Sequence, residues 1–357
     1  MTDFSKRIDS LRSRMHRSEA ALITSDVNIT YFTGFPSSEG ALLVTCDGSY
    51  FAVDFRYYEA VSEQVKSSKV VLHRGVMKAV GEILQRHNVS SVYLEESTTV
   101  GSLAFYKKAL PHIEFDTSSF LSDSIKQLRI IKDEDEKEKL RTAQKISEKS
   151  YLELLNRVKE GVSERELAVE LEYLMKKNGA QKTAFDLITI GGENTSKPHG
   201  VPGEYRLRKG DFVTFDIGAV YCGYHSDMTR TVALGYADDE MQKIYYTVLK
   251  AQLTTLEMIK EGVSAFDADA AARDVIDSAG YKDFFGHAVG HGVGLEIHEF
   301  PVLSPNSKEI LKSGMIVTVE PGVYLPKKFG VRIEDTVCIT KTGCENLVCV
   351  GKDLIIV

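Results

Sequence analysis

Histidines are concentrated in one glycine-rich stretch of this sequence. Of the nine histidines in the chain, His287, His291 and His298 lie within GHAVGHGVGLEIHE. Imidazole serves as a metal ligand and as an acid–base group near neutral pH, and glycines let backbone segments approach a crowded centre closely. The glycines disfavour a long helix, so a zinc-binding H-E-x-x-H helix is not predicted. The alternation in VGLEIHEF predicts a strand with Glu296 and His298 on one face. Residue types alone leave open which histidine would bind a metal.

Four acidic residues occupy matched positions in two similar segments. Asp216 in VTFDIG corresponds to Glu320 in VTVEPG, and Asp227 in SDMTRT corresponds to Glu334 in IEDTVC. Each pair lies on two successive strands of a predicted hairpin, whose strands would run roughly 5 Å apart. Four carboxylates in apolar surroundings cannot all stay ionised without cations, because like charges raise one another's pKa. Two divalent cations would balance the four charges, so the pattern predicts a dinuclear metal site.

A single acid in such a sequence has simpler explanations. Each could be an exposed turn residue or the ion-pair partner of an arginine, and Arg230 and Arg332 lie close by in the sequence. These alternatives explain one acid well. They do not explain why four acids recur at equivalent places in a duplicated unit beside a histidine cluster, which is typical of a functional site.

The elements that must position these acids form an internal repeat. GVSERELAVELEYLMKKNGA from Gly161 and GVSAFDADAAARDVIDSAGY from Gly262 each predict an amphipathic helix with a serine N-cap. LRKGDFVTFDIG from Leu207 and LKSGMIVTVEPG from Leu311 each predict a turn followed by a mostly apolar strand. Two such halves packed about a pseudo-twofold axis would bring the four acids to one centre within an α+β architecture.

The residues before this repeat predict a separate α/β domain. The strand-like segments AALITS, GALLVTC, YFAVDF and SSVYLEE alternate with the helix-like segments RIDSLRSRM and VMKAVGEILQRHN. Another helix is predicted from Asp133 onward, where acidic residues precede apolar residues at helical spacing. We therefore predict two domains, residues 1–125 and residues 126–357.

Composition excludes several classes of function. The net charge of −7 argues against nonspecific binding to nucleic acid or to an anionic membrane. No apolar run approaches the roughly 20 residues of a membrane helix, and the first residues lack the apolar region of a secretory signal. The five cysteines show no C-x-x-C spacing. We expect a cytoplasmic protein with reduced cysteines.

Several motifs resemble those of one enzyme family. FDIGAVYCGYHSDMTRT, FGHAVGHGVGLEIHE, VTVEPGVY and GVRIEDT resemble the metal-dependent "pita-bread" peptidases of family M24. Within that family they are most similar to the Xaa-Pro aminopeptidases and the Xaa-Pro dipeptidases (prolidases). NITYFTGF and AVDFRYYEA resemble the N-terminal domain that this branch shares with creatinase. The resemblance covers the whole chain and implies a creatinase-like N-terminal α/β domain followed by a pseudo-twofold, α+β pita-bread catalytic domain.

The resemblance also implies roles for individual residues. The ligands of two divalent metal ions would be Asp216, Asp227, His291, Glu320 and Glu334, with Asp227 and Glu334 bridging the ions. The residues that contact substrate or take part in catalysis would be His199, His287, His298, Arg332 and Glu320, the last as a proton shuttle. Mn²⁺ is the expected metal, with Co²⁺, Zn²⁺ or Fe²⁺ as alternatives. No ligand position departs from the family pattern, which argues against its metal-free members.

The implied reaction is hydrolysis of the Xaa-Pro bond at the N-terminus of a peptide by metal-activated water. Details of the motifs favour an aminopeptidase over a strict dipeptidase. A methionine aminopeptidase would hardly need the added N-terminal domain, and a non-catalytic peptide-binding module would be expected to lack ligands. Proline-containing peptides are the expected partners, and family members suggest a homodimer. Asp54 and Arg56 would contact the neighbouring subunit or grip substrate, unless they form a simple strand-end ion pair.

Overall fold

The chain divides into two compact units. The computed structural model describes residues 2–36 and 39–357. Unit 1 comprises Met1–Arg129 and unit 2 comprises Ile130–Val357, and each encloses its own hydrophobic core. The division lies a few residues after the domain boundary that the sequence predicts. Every helix within residues 2–36 and 39–357 is too short or too polar to span a lipid bilayer.

Unit 1 is an α/β domain built on one six-stranded mixed sheet. Its strands are β1 (Glu19–Ile23), β2 (Ala41–Thr45), β3 (Ser49–Val53), β4 (Lys69–Leu72), β5 (Ser91–Leu94) and β6 (Glu114–Asp116). Its helices are α1 (Phe4–Arg12), α2 (Asp26–Thr33), α3 (Phe55–Gln64), α4 (Val76–Arg86), α5 (Val100–Ala109) and α6 (Phe120–Arg129). The strand order is β4-β3-β2-β1-β5-β6, with β1, β2 and β3 antiparallel and the outer pairings parallel. Val80 and Leu84 of α4 pack on the sheet, as the apolar spacing of that helix predicts.

Unit 2 contains four long helices and several small antiparallel sheets. The helices are α7 (Glu134–Leu155), α8 (Glu164–Lys177), α9 (Asp239–Met258) and α10 (Ala265–Ser278). The first-half strands are β7 (Lys182–Thr183), β8 (Ile188–Gly191), β9 (Phe212–Ile217), β10 (Ala219–Tyr221), β11 (Tyr224–His225) and β12 (Met228–Ala233). The second-half strands are β13 (Gly290–Gly292), β14 (Glu299–Leu303), β15 (Ile316–Val319), β16 (Gly322–Leu325), β17 (Phe329–Arg332), β18 (Asp335–Ile339) and β19 (Cys344–Asn346). Short 3₁₀ turns span Gly192–Ser196 and Lys282–Phe284.

The internal repeat is visible in the helices and in the hairpins. Ser163 and Ser264 accept hydrogen bonds from backbone N–H groups in the first turns of α8 and α10, as predicted for N-caps. Strand β9 pairs antiparallel with β12 in the first half, and β15 pairs antiparallel with β18 in the second. Helices α7 and α8 pack together in one half, and α9 and α10 do so in the other. Helix α9, the counterpart of α7, was not predicted from the sequence. The predicted α+β pita-bread architecture is confirmed.

The strand predicted over VGLEIHEF is wrong for its first six residues. Strand β13 ends at Gly292 and β14 begins only at Glu299, with an irregular register between His291 and Gly292. The intervening loop turns back on itself, because the N–H of Gly294 donates to the carbonyl oxygen of Glu296. The N–H of Glu296 in turn donates to the carboxylate of Glu299. These local bonds replace the ladder of a strand, so Glu296 and His298 share no strand face.

The two halves of unit 2 join along the residues that follow the acids. The N–H of Glu334 donates to the carbonyl oxygen of Thr229 at 3.1 Å. The hydroxyl of Thr336 donates to the backbone carbonyl oxygen of Asp227 at 2.8 Å. Beside them the guanidinium of Arg230, 2% exposed, pairs with the fully buried carboxylate of Asp335 at 2.8 Å. Arg230 also donates to the carbonyl oxygen of Glu334. One buried ion pair therefore ties the first half to the second.

We predict that Arg230→Met destabilises the protein by about 1–3 kcal/mol, because the buried carboxylate of Asp335 loses its arginine but keeps Lys352 as a cationic partner at 2.7 Å. The measurement is the free energy of unfolding from urea denaturation of the metal-free protein. Lys328→Met is the matched control, because it breaks the exposed Lys328–Glu240 pair of the same unit, and exposed pairs contribute little. Equal losses in the two variants would show that the buried pair has no special part in joining the halves.

Candidate metal centre

One cavity in unit 2 collects every metal ligand and every catalytic histidine, glutamate and arginine predicted from the sequence. It has a volume of about 570 Å³. The predicted residues that line it are His199, Asp216, Asp227, His287, His291, His298, Glu320, Arg332 and Glu334. Apolar side chains line the same cavity, among them Phe185, Leu187, Ile188, Val201 and Ile297. The acids of the first half precede the histidine-rich stretch by about 60 residues or more in the sequence, yet both line this one cavity.

The hairpins of the two halves deliver the four acids. Asp216 lies in β9 opposite Thr229 of β12, and Asp227 immediately precedes β12. In the second half Glu320 follows β15, and Glu334 immediately precedes β18. Because the two halves are bonded along β12 and the residues before β18, the side chains of Asp227 and Glu334 are buried at their junction, 4% and 1% exposed.

The glycines around His291 allow three strands to pack closely. Strand β13 runs between β14 and β15. A Cβ atom on Gly290 would collide with the carbonyl oxygen of Thr318, and one on Gly292 would collide with that of Phe300. Any larger residue at either position would push β13 away from its neighbours. The glycine-rich composition is therefore a packing requirement that holds His291 at the centre.

Hydrogen bonds orient the imidazole of His291 toward the acids. Its Nδ1 lies 3.0 Å from the carbonyl oxygen of Gly292, which can only accept, so Nδ1 carries a hydrogen. Its Nε2 lies 3.6 Å from Oδ2 of Asp227 and 3.3 Å from Oε1 of Glu320. When the ring is protonated, Nε2 donates to Glu320. In the neutral ring the Nε2 lone pair would point into the cluster, as in histidines that bind metals. Ligand atoms of Asp227, His291 and Glu334 all lie within 4.8 Å of one another.

Two of the acids have unsatisfied oxygens. Oδ1 of Asp227 and Oε1 of Glu334 are buried without a hydrogen-bond partner among the described residues. Burial, reinforced by neighbouring carboxylates, raises the pKa of Asp227 and of Glu334 well above the usual range. Buried carboxylate oxygens without donors are costly unless a cation binds them. The donor set of four carboxylates and one imidazole fits divalent cations such as Mn²⁺.

The other two acids are compensated by protein groups. Burial alone would raise the pKa of Glu320, but the hydrogen bond and charge of His291 lower it to about 2. The same contact raises the pKa of His291 against the opposing effect of burial. Burial raises the pKa of Asp216, and its ion pair with Arg332 partly offsets that rise. Asp216 and Glu320 therefore each face a cationic side chain.

Tyr324 is a site residue that the sequence analysis missed. Its hydroxyl accepts a hydrogen bond from Nη1 of Arg332 at 2.8 Å and lies 2.9 Å from Nε2 of His287. Nδ1 of His287 donates to the carbonyl oxygen of Ala288, so in the neutral ring Nε2 accepts from Tyr324. Tyr324 thereby links His287 to Arg332, while the carbonyl oxygen of Ala288 fixes the tautomer of His287. The motif VTVEPGVY contains this tyrosine, but a tyrosine in an apolar strand is indistinguishable from a core residue.

Two threonines that the sequence analysis also missed hold carboxylates in place. Thr229 donates its hydroxyl to Oε2 of Glu334 at 2.7 Å and accepts from Nε of Arg332 at 3.1 Å. Thr318 donates to Oε1 of Glu320 at 3.2 Å and accepts from the N–H of His291 at 3.0 Å. Each follows or precedes an acid by two strand positions, the spacing that puts side chains on one face.

Asp54 and Arg56 lie in unit 1. Nε of Arg56 donates to Oδ2 of Asp54 at 2.9 Å. Asp54 also caps α3, because it accepts from the backbone N–H of Arg56. This is the strand-end ion pair that the sequence analysis considered for these residues. A role in contacting a neighbouring subunit or substrate stays a prediction.

The buried acids predict an unusual pH dependence for the metal-free protein. A raised folded-state pKa means that the folded state binds the proton more tightly. Stability contributed by Asp227 and Glu334 therefore falls as pH rises from about 4, their unfolded value, toward the raised values. Glu320 acts in the opposite sense only below about pH 4, down to its pKa of about 2. We expect the unfolding temperature, measured calorimetrically from pH 4.5 upward, to decline more steeply in wild type than in Asp227→Asn.

Asp186→Asn is the control for that comparison. Asp186 is an exposed aspartate that lines the same cavity, so the variant removes an equal charge without relieving the buried cluster. Its unfolding temperature should follow the wild-type curve. If the unfolding temperatures of both variants decline with pH as steeply as that of the wild type, the buried carboxylates do not repel one another.

Comparisons with known proteins agree with this geometry. Residues 138–341 match Metallopeptidase family M24, and residues 7–131 match the Creatinase/Prolidase N-terminal domain. The chain is 39% identical to an Xaa-Pro dipeptidase of Pyrococcus furiosus, over 94% of this chain and 95% of that protein. Among solved structures, an Xaa-Pro dipeptidase from Bacillus anthracis superposes with a TM-score of 0.95 at 38% identity, covering 99% and 100% of the two chains. An X-Pro aminopeptidase from Thermotoga maritima gives 0.91 at 33% identity, covering 97% and 99%.

These matches cover the metal centre and the first unit together. They confirm the resemblance seen in the sequence motifs and the enzyme class that it implies. The chain belongs to metallopeptidase family M24 and carries the N-terminal domain of the creatinase and prolidase type.

Proposed function

We propose that this protein is an Xaa-Pro exopeptidase that acts on Xaa-Pro dipeptides, that is, a prolidase. The observation that carries the proposal is the convergence of four carboxylates and His291 in one cavity, where two buried carboxylate oxygens have no hydrogen-bond partner within the described part of the chain. The relatives support the narrower assignment, because several at 36–39% identity are named Xaa-Pro dipeptidase or prolidase. The sequence-based preference for an aminopeptidase has less support among them.

The proposed ligands of two divalent ions, Mn²⁺ by preference, are Asp216, Asp227, His291, Glu320 and Glu334. Such ions supply two effects when bound: they lower the pKa of water toward neutrality and they polarise the carbonyl of a scissile bond. The protein groups around them have separate tasks. In the metal-free protein the hydrogen bond and charge of His291 hold the pKa of Glu320 at about 2. With metal bound, Glu320 would remain a carboxylate, the form that can accept a proton from water.

Proton transfer to the proline nitrogen completes the proposed reaction. A proline nitrogen must be protonated to leave, so Glu320 would pass on the proton that it has accepted. His199 and His298 are exposed at the cavity and would donate hydrogen bonds to the oxygen on which negative charge develops. His287 is held by Tyr324 with its ring fixed. The apolar side chains of Phe185, Leu187 and Ile297 suit the proline ring and an apolar Xaa side chain.

One observation favours the second candidate, an Xaa-Pro aminopeptidase. Arg332 is the sole lysine or arginine among the described residues that line the cavity. Its guanidinium already contacts Asp216, Thr229, Tyr324 and the carbonyl oxygen of Pro198. The carboxylate at the end of an Xaa-Pro dipeptide would thus find no unengaged cation in that lining, whereas a longer peptide has an amide there. A homodimer and a cytoplasmic location stay predictions from the sequence.

A panel of three substrates separates the candidates. We expect release of leucine from Leu-Pro, dependent on added Mn²⁺ and abolished by chelation, and slower release from Leu-Pro-Gly. Met-Ala should be untouched, because the site is proposed to select proline after the scissile bond. Amino-acid release is quantified by chromatography as kcat/KM. Faster turnover of Leu-Pro-Gly than of Leu-Pro would replace the dipeptidase with the aminopeptidase, and turnover of Met-Ala alone would remove both.

Glu320→Gln tests the proton shuttle. Loss of a general acid–base group lowers turnover by about 10²- to 10⁴-fold, so kcat for Leu-Pro should fall within that range. Glu257→Gln removes an exposed carboxylate of α9 and should leave kcat unchanged. A Glu320→Gln enzyme that retains near wild-type kcat at saturating Mn²⁺ would require another proton carrier.

A further inference from the structure

The two halves of the catalytic unit differ at the first residue of their equivalent helices. Helix α8 begins with Glu164 after its cap Ser163, and α10 begins with Ala265 after its cap Ser264. Both first residues are buried, Glu164 at 1% and Ala265 at 0% exposure. A buried carboxylate is not required to begin such a helix, because α10 begins with an alanine at the equivalent position. The asymmetry points to something that the first half holds and the second does not.

The Glu164 carboxylate forms hydrogen bonds with both ends of one loop. Its Oε1 accepts from the N–H of Gly191 at 2.8 Å and from the side-chain amide of Asn194 at 2.9 Å. Its Oε2 accepts from the N–H of Gly203 at 2.9 Å. Gly191 ends β8, and Gly203 lies where the chain returns toward the start of α8. One oxygen therefore holds the entry to the segment and the other holds its exit.

The segment held in this way, residues 192–202, supplies His199 to the cavity. Pro198, His199, Gly200, Val201 and Pro202 all line it. The middle of the segment has two further anchors: the hydroxyl of Thr195 accepts from the N–H of Gly330, and the carbonyl oxygen of Pro198 lies 3.4 Å from Nη1 of Arg332. His199 itself is exposed. Its position must therefore come from the backbone that carries it, and Glu164 is the charged group that fixes both ends of that backbone.

We infer that Glu164 is a positioning residue, which acts on the reaction through His199 by fixing the 192–202 segment. The inference rests on the proposed function, since it gives His199 a place in Xaa-Pro hydrolysis. Glu164 does not line the cavity and is not among the proposed metal ligands. Its loss should therefore disturb the segment and the reaction while leaving metal binding intact.

Hydrogen–deuterium exchange on the metal-free protein tests the structural step independently of activity. Glu164→Ala should accelerate exchange of the amides in residues 191–203, including those of Gly191 and Gly203, which donate to the carboxylate. Glu166→Ala is a matched control from the same first turn of α8, because it removes an exposed carboxylate that completes the cap with Ser163. In the control, exchange of 191–203 should match wild type. Unchanged exchange in Glu164→Ala overturns the inference.

A double-mutant cycle tests the functional step. Small displacements of a catalytic group lower rates by up to about 100-fold, so Glu164→Ala should reduce kcat/KM for the better Xaa-Pro substrate by about 10- to 100-fold. If Glu164 acts through His199, the double variant with His199→Ala should be no slower than His199→Ala alone. Mn²⁺ affinity, measured by calorimetry, should stay within about twofold of wild type. Independent, multiplying losses overturn the inference, as does a parallel loss of Mn²⁺ affinity.

Two features keep the test decisive. If Glu164→Ala does not fold, Asn194→Ala takes its place, because it removes only the amide donor on the loop side; it should show the same exchange and coupling with smaller effects. If the wild-type protein hydrolyses no Xaa-Pro substrate, the proposed function fails, and this result is distinct from failure of the positioning role. The positioning role fails if exchange is unchanged in Glu164→Ala, whatever the activity of the wild type, or if an active wild type shows multiplying losses or lost Mn²⁺ affinity in the variant.

Discussion

Mutual repulsion among four clustered carboxylates, two of them buried and two partly buried, is the constraint around which the catalytic unit is organised. Two of the acids are neutralised within the protein, Asp216 by Arg332 and Glu320 by His291. Asp227 and Glu334 each have one carboxylate oxygen at the junction of the halves that finds no hydrogen-bond partner among the residues the structure describes. In a buried site this arrangement is tolerable only if protons or cations compensate the remaining charge. The demand for divalent metal is thus a consequence of the fold's electrostatics as much as of its ligand geometry.

The pseudo-twofold repeat supplies matched acids, but the groups that make the centre useful are unequal. The second half contributes His291, Tyr324 and Arg332, which compensate or orient the acids. The first half contributes the loop that carries His199, held by Glu164 where its counterpart is an alanine. The repeat thus accounts for the symmetric arrangement of the four carboxylates. The differences between the two halves account for the asymmetry of the groups around them. A peptide bond has two different ends, so a symmetric site could not distinguish them.

Local patterns predicted the elements well wherever one physical effect dominated. Serine caps and apolar spacing located α8 and α10, and equivalent hairpins located the four acids, because capping and amphipathicity act over a few residues. The prediction failed over residues 293–298, where alternation suggested a strand. There the backbone bonds of Gly294 and Glu296 close a turn, and such a choice depends on neighbours that are distant in sequence. Tyr324, Thr229 and Thr318 escaped notice for a related reason, since each has a hydrogen-bond partner that is distant in the sequence: His287, Arg332 and the backbone of His291 respectively.

The sequence by itself determined the kind of chemistry, because four repeated acids and a glycine-flanked histidine have few uses other than holding divalent cations. It did not determine the choice between dipeptides and longer peptides, since both substrate classes are compatible with the same ligand set. Tertiary structure decided which imidazole nitrogen faces the acids, which two acids lack compensation, and that Glu164 spans a loop distant from it in the chain. Those properties depend on distances of a few ångströms between residues that the sequence separates widely, and only the packed fold sets such distances.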